Sequence, residues 1–235
     1  MSAVASVLEV PEPAASPAAS FTRLGRLAAA ATLVIGATCQ VIVFAVEPQH
    51  TQTVDRLQWI AAHPDRANVA KLFDVLAMPF LIGGVLVYVL LSRQRSPRLA
   101  YAGGILLGCG MVGLSMIQGL ETLAFGLTED GRFDLKALAD KVDNLSIAPG
   151  IAILLLFLPG AILGILTMSV ALWRSRAVPR AAAALLPIFI VVDVPFQQAL
   201  PAHLIALVAA VWIASAVLRA GQTEPDVSPP AAAGS

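Results

Sequence analysis

Charge is scarce in this chain. Only 13% of its 235 residues are Asp, Glu, Lys or Arg, whereas a soluble domain carries about a quarter. The formal net charge is zero, which excludes a general electrostatic attraction to nucleic acid. Cysteine is limited to Cys39 and Cys109. Both lie in apolar segments, away from any CxxC pair, and read as small buried hydrophobes. The three histidines, His50, His63 and His203, are scattered toward the ends of apolar runs. No pair of histidines or cysteines has ligand spacing for zinc, and no two histidines face each other as haem axial ligands. No metal and no cofactor is therefore expected. Aromatic residues make up 6%, few for a pocket that would hold carbocations against ring faces.

What the chain has instead is apolar sequence in long blocks. Hydrophobic residues reach 58% and the mean hydropathy is +0.82, too much to hide in one globular core. A spanning helix needs about 20 mainly apolar residues, and backbone amides in lipid must pair within the segment. Six candidate spans follow, near 27–46, 72–92, 99–127, 147–173, 181–198 and 202–218. The expected fold is all-α, a polytopic bundle of six transmembrane helices arranged as three consecutive out-facing hairpins. Its boundaries are 21–220, with Ala/Pro/Ser-rich tails at 1–20 and 221–235 expected to be disordered and cytoplasmic. Residues 1–20 lack the basic start and compact apolar run of a secretory signal.

The loops carry the orientation. "FTRLGR", "SRQRSPR", "RSRAVPR" and Arg219 hold nine arginines and no acid. The alternate loops, 47–71 and 128–146, hold six basic and eight acidic residues. The positive-inside rule puts the arginine set and both termini in the cytoplasm of a plasma-membrane protein. Both mixed-charge loops contain helical periodicity. Val54, Leu57 and Ile60 recur in one, and Leu135, Leu138, Ala139 and Val142 in the other behind an Asp134 N-cap. These predict two short amphipathic surface helices over the outer mouth, either floating at the interface or forming a lid.

Residues 78–104 and 158–184 share an early proline, an apolar run, an arginine cluster and a Pro-Arg pair opening the next span, a weak internal repeat. The third span is glycine-rich. Gly104 and Gly108 form GxxxG, extended by Gly110 and Gly113 and matched by Gly160 and Gly164 in the fourth span. Such surfaces let helix backbones approach closely in lipid.

Three acids fall within or at the edge of spans: Asp74, Glu121 and Asp193. At ~1.5 Å per residue, Asp193 lies ~20 Å beyond Arg180 and Glu121 ~34 Å beyond Arg98. Asp74, three residues after Lys71, reads as an interfacial group. All three belong to the outer half, as do Gln118, Gln197, Gln40, Asn144, Ser146, Gln198 and His203, the last read as a wet interface histidine. The inner half offers only Thr167, Ser169 and Ser215, whose hydroxyls can bond their own backbone. The asymmetry suggests a polar pocket open outward and closed below, built from Asp193, Glu121, Asp74, Gln118, Gln197 and His203. Asp193 could instead cap a helical turn beside Pro195.

The layout, with "HPDR" before the second span, "QGLETLAF" late in the third and "ALWRSR" leaving the fourth, resembles a broad group of six-span membrane proteins of high-GC Gram-positive bacteria. That group carries no established activity, so the resemblance implies topology. Its acid corresponds to Glu121.

Three classes of function stay open. One is a membrane protein binding a small solute, lipid or cation in the outer pocket, as a small permease or accessory subunit. Another is an embedded enzyme applying a carboxylic acid to a lipophilic substrate, through Asp193 and Glu121. The third is a structural or regulatory partner of another membrane protein, docking through its glycine faces.

Overall fold

A computed structural model describes residues 21–144, 148–195 and 200–220. The tails expected at 1–20 and 221–235, together with Gln197, Gln198 and Ser146, lie outside the described residues. Among the described residues there are eight helices and no strand: α1 (Arg23–Val46), α2 (Thr53–Ala62), α3 (Pro64–Ser92), α4 (Pro97–Glu129), α5 (Leu135–Asp143), α6 (Ala148–Ser175), α7 (Arg180–Asp193) and α8 (Leu200–Arg219).

Five helices are long and apolar enough to cross a membrane: α1, α3, α4, α6 from Gly150 onward, and α8. The chain has the make-up of a multi-pass membrane protein. Correspondingly, large apolar side chains such as Leu72, Leu86, Ile105, Leu155 and Val191 face outward and exposed, as lipid-facing residues do. The segment expected as a fifth span behaves differently. α7 has 14 residues, ~21 Å of helix, and ends at Asp193, two residues before Pro195, with Val194 still in right-handed helical geometry.

The six long elements close into a ring. α1 packs along α3, α3 along α4, α4 along α6, α6 along α7, α7 along α8, and α8 returns to α1. α3 also crosses to α6. That crossing plugs one end of the ring with a dense cluster including Leu91, Met168, Leu172, Ile213 and Val217. One hydroxyl ties helices together at this end. Ser169 Oγ donates to the Ala183 carbonyl of α7 at 2.6 Å, so it reaches across helices where self-bonding was expected. Ser215 does bond its own helix, through the Trp212 carbonyl. The nine arginines sit at this plugged end. Arg95 donates to the Ser175 carbonyl at the end of α6, and Arg180 lies over the Trp173 ring.

The glycine face is real but shifted from the motif. Gly103, Gly110 and Gly113 meet α6 backbone, and Gly160 and Gly164 meet α4 backbone in return. A Cβ on Gly164 would lie 2.5 Å from Leu107 N. Gly104 instead faces Val89 of α3, and Gly108 has nothing within 4 Å of where its Cβ would be. The GxxxG pair therefore does not form the α4–α6 contact. The helix turn carries Gly104 and Gly108 around to other directions, while positions 103, 110 and 113 share the stripe facing α6.

At the opposite end α4 runs on past the ring. Its 33 residues span ~50 Å, well beyond the ~30 Å hydrocarbon core. The surplus holds α2 and α5. Leu57, Ile60, Ala67, Phe125 and Ala139 form a second, smaller core there, and Thr53 donates to Asp143. Asp134 caps α5 by accepting from Lys136 N. Trp59 packs into this small core and against His63 and His50.

Candidate functional site

Inside the ring lies a partly enclosed cavity of about 490 Å³. All six ring helices contribute to its wall, and Arg56 of α2 reaches it from the cap. Along α3 it extends from Asp74 to Tyr88, ~21 Å of helix. Its unplugged end is polar, lined by Glu47, Arg56, Asp74, Gln118 and Glu121. Its deeper wall is apolar and aromatic, with Phe80, Phe157, Met111, Leu107, Ile165 and Met168.

Of the six pocket residues expected from sequence, Asp74, Gln118, Glu121, Asp193 and His203 line this one cavity. Gln197 lies outside the described residues. Gln40 is also in the wall. Thus the cavity brings together side chains from α3, α4, α7 and α8 that are up to 129 positions apart in sequence, from Asp74 to His203.

Two of these residues sit differently from expectation. Asp74 is buried, 5% exposed, because α3 begins at Pro64 and carries it inward. Its Oδ1 accepts from Gln118 Nε2 at 2.8 Å, and its Oδ2 accepts from Lys71 Nζ at 3.1 Å. His203 is also buried, 7% exposed. Phe44 stacks on its ring at 3.9 Å between centroids, and Phe189 meets it edge-on at 5.6 Å. It is no wet interface histidine.

The polar end is one connected network. Arg56 binds Glu47 and also Glu121, the latter at 3.2 Å. Lys71 sits 3.5 Å from the same Glu121 carboxylate and donates to Gln118 Oε1 at 3.1 Å. Burial by itself lowers the Arg56 pKa, but the Glu121 and Glu47 carboxylates on either side raise it above the ordinary arginine value. The guanidinium stays charged. Glu47 is the C-cap of α1, so the network ties α1, α2, α3 and α4 together.

Asp193 stands apart from this network. It ends α7, and the turn around Pro195 that it could cap runs into residues outside those described. Its Oδ1 lies 3.4 Å from His203 Nε2. The two atoms are near enough to attract but misaligned for a hydrogen bond, and each is buried without a hydrogen-bond partner among the described residues. The pair carries opposite charges only when the imidazole is protonated.

Sequence reading passed over Arg56, Lys71, Glu47, His50 and Phe44 as parts of the site. Lys71 was legible as an (i, i+3) partner of Asp74. Arg56 adjoins Leu57 on the apolar face of α2, a position from which a basic side chain reaches whatever that face covers. Aromatic residues are few in the chain, yet the cavity gathers several of them from α1, α3, α6 and α7.

Among the described residues no cluster of three or more His, Cys, Asp or Glu side chains could hold a metal ion. Comparison with protein-family models, curated proteins and solved structures finds no match for the chain.

Proposed function

We propose that this is a six-span plasma-membrane protein whose central cavity binds an elongated amphiphile. The polar head sits at the cavity's unplugged end, lined by the Glu47–Arg56–Glu121–Asp74 network and by Asp193 and His203, and the apolar portion lies along the deeper wall. One observation carries this reading. A single cavity of about 490 Å³ pairs a charged, hydrogen-bonded mouth with an apolar interior. Ligand pockets of this size, mostly apolar with a few convergent polar groups, are the ordinary form of small-molecule sites. A site for a small hydrophilic solute would need polar groups along its whole depth.

In this reading α7 crosses as a shortened span. The arginine end and both termini are cytoplasmic, as the positive-inside rule directs. The polar mouth then opens outward beneath the cap of α2 and α5. The plug of Leu91, Met168 and Leu172 closes the inner side, which favours binding or presentation over passage through the bundle.

Two experiments test it. Native mass spectrometry of the chain extracted without added lipid should detect a co-purifying amphiphile, lost in Ala206→Trp, which fills the cavity wall. Absence of any adduct, with Ala206→Trp indistinguishable from wild type, would sink the reading. For orientation, Arg132→Cys should react with a membrane-impermeant maleimide on intact cells and Gln94→Cys only after lysis, in a background lacking Cys39 and Cys109. The reverse pattern would invert the topology.

A further inference from the structure

All the buried side-chain atoms without a hydrogen-bond partner among the described residues belong to one cavity: His50 Nε2, Asp193 Oδ1 and His203 Nε2. Leaving a buried polar atom unpaired costs about 1–3 kcal/mol, and more for a charged group. Three in one cavity mark where a ligand's polar atoms would be held.

The surroundings of Asp193 narrow the chemistry. It is the last residue of α7, where the helix carbonyls already concentrate negative charge, so a carboxylate there is disfavoured without a cation. The neighbouring network has none to spare. Glu47, Asp74 and Glu121 share Arg56 and Lys71, three carboxylates to two cations. Among the described residues the group paired with Asp193 is an imidazole, itself covered by Phe44 and Phe189. An unpaired carboxylate, a neighbouring nitrogen able to accept and aromatic rings make up the recognition chemistry of an organic ammonium.

We infer that Asp193 is the counter-ion for a protonated amine, so that the cavity takes a cationic amphiphile. One ammonium N–H is donated to Asp193 Oδ1. A second is donated to His203 Nε2, with the imidazole proton on Nδ1. The apolar part of the ligand then lies along the wall toward Met168. This inference rests on the amphiphile reading above and names its headgroup. An alcohol of equal length would satisfy hydrogen bonds without neutralising the carboxylate, and a fatty acid would add a further negative charge.

The test is isothermal titration of the full chain in nanodiscs with octylamine, octanol and octanoate, each referenced to empty nanodiscs. Octylamine should bind about tenfold tighter than octanol or better, because charge-assisted hydrogen bonds are about twice as strong as neutral ones; octanoate should bind weakest. Asp193→Asn should remove the preference for the amine and leave octanol binding intact. Asp193→Glu, which retains the charge, should keep the preference. Equal binding of octylamine and octanol, or a preference that survives Asp193→Asn, overturns the amine assignment and leaves the amphiphile cavity standing. Failure of all three probes to bind overturns both. If Asp193→Asn does not fold, the ranking of the three probes on the wild-type chain decides.

Discussion

Alanine at Gly110 should weaken the fold, and alanine two residues earlier at Gly108 should not. A Cβ on Gly110 would lie 2.5 Å from Ala161 N and 2.9 Å from Gly160 C. Both are backbone atoms of α6, so no side chain can turn aside and the helices themselves must separate. Overpacking of this kind costs about 1–3 kcal/mol. A Cβ on Gly108 meets nothing within 4 Å. Both changes gain helix propensity, by about 0.8–1.0 kcal/mol in water, so that contribution cancels when the two variants are compared. Gly110→Ala should therefore be less stable than Gly108→Ala by about 1–3 kcal/mol. The comparison is made by titrating both proteins with SDS in mixed micelles and following helicity by circular dichroism. Gly164→Ala repeats the test from the α6 side, since its Cβ would meet Leu107 N. Equal stability of Gly108→Ala and Gly110→Ala would refute the claim that backbone contact, rather than the GxxxG pattern, sets helix packing here.

Other outcomes follow from the same structure. At 3.1 Å the Lys71–Asp74 attraction is about 5 kcal/mol at an effective dielectric of about 20, before desolvation is charged against it. Lys71→Met should therefore destabilise by about 3–5 kcal/mol, by stranding a buried carboxylate. The double variant Lys71→Met/Asp74→Asn should cost less than the sum of the singles; strict additivity would mean the two groups are not coupled. Leu57→Ala removes a side chain that is 3% exposed in the small core under α2. Hydrogen exchange should accelerate across α2 and α5 while the ring helices keep their protection, since that core is separate from the one plugging the ring. Uniform acceleration throughout would show that the cap and the ring unfold as one unit.

Much of this protein follows from composition and spacing, with no need of coordinates. Apolar blocks of about 20 residues dictate helices because lipid offers no partner for backbone amides. The arginine loops separate from the mixed-charge loops by alternation alone. The clustering of Asp74, Glu121, Gln118, Asp193 and His203 at the end away from the arginine loops is likewise readable from helix rise per residue. What one-dimensional spacing does not carry is direction around each helix axis. Gly103, Gly110 and Gly113 face α6 while Gly108 does not, and only the partner helix decides which stripe is the contact. The same holds for Asp74, whose carboxylate is held by Gln118 of α4 and by Lys71. It holds for His203, whose environment is made by Phe44 from the far end of the chain. The closure of α8 onto α1 turns six helices into a ring with a cavity, a consequence of packing among segments that no local pattern specifies. Sequence therefore determined the elements and their depth, which depend on hydropathy and rise. Tertiary structure decided which polar groups satisfy one another and left Asp193 Oδ1 and His203 Nε2 without hydrogen-bond partners among the described residues, because pairing depends on where each side chain points.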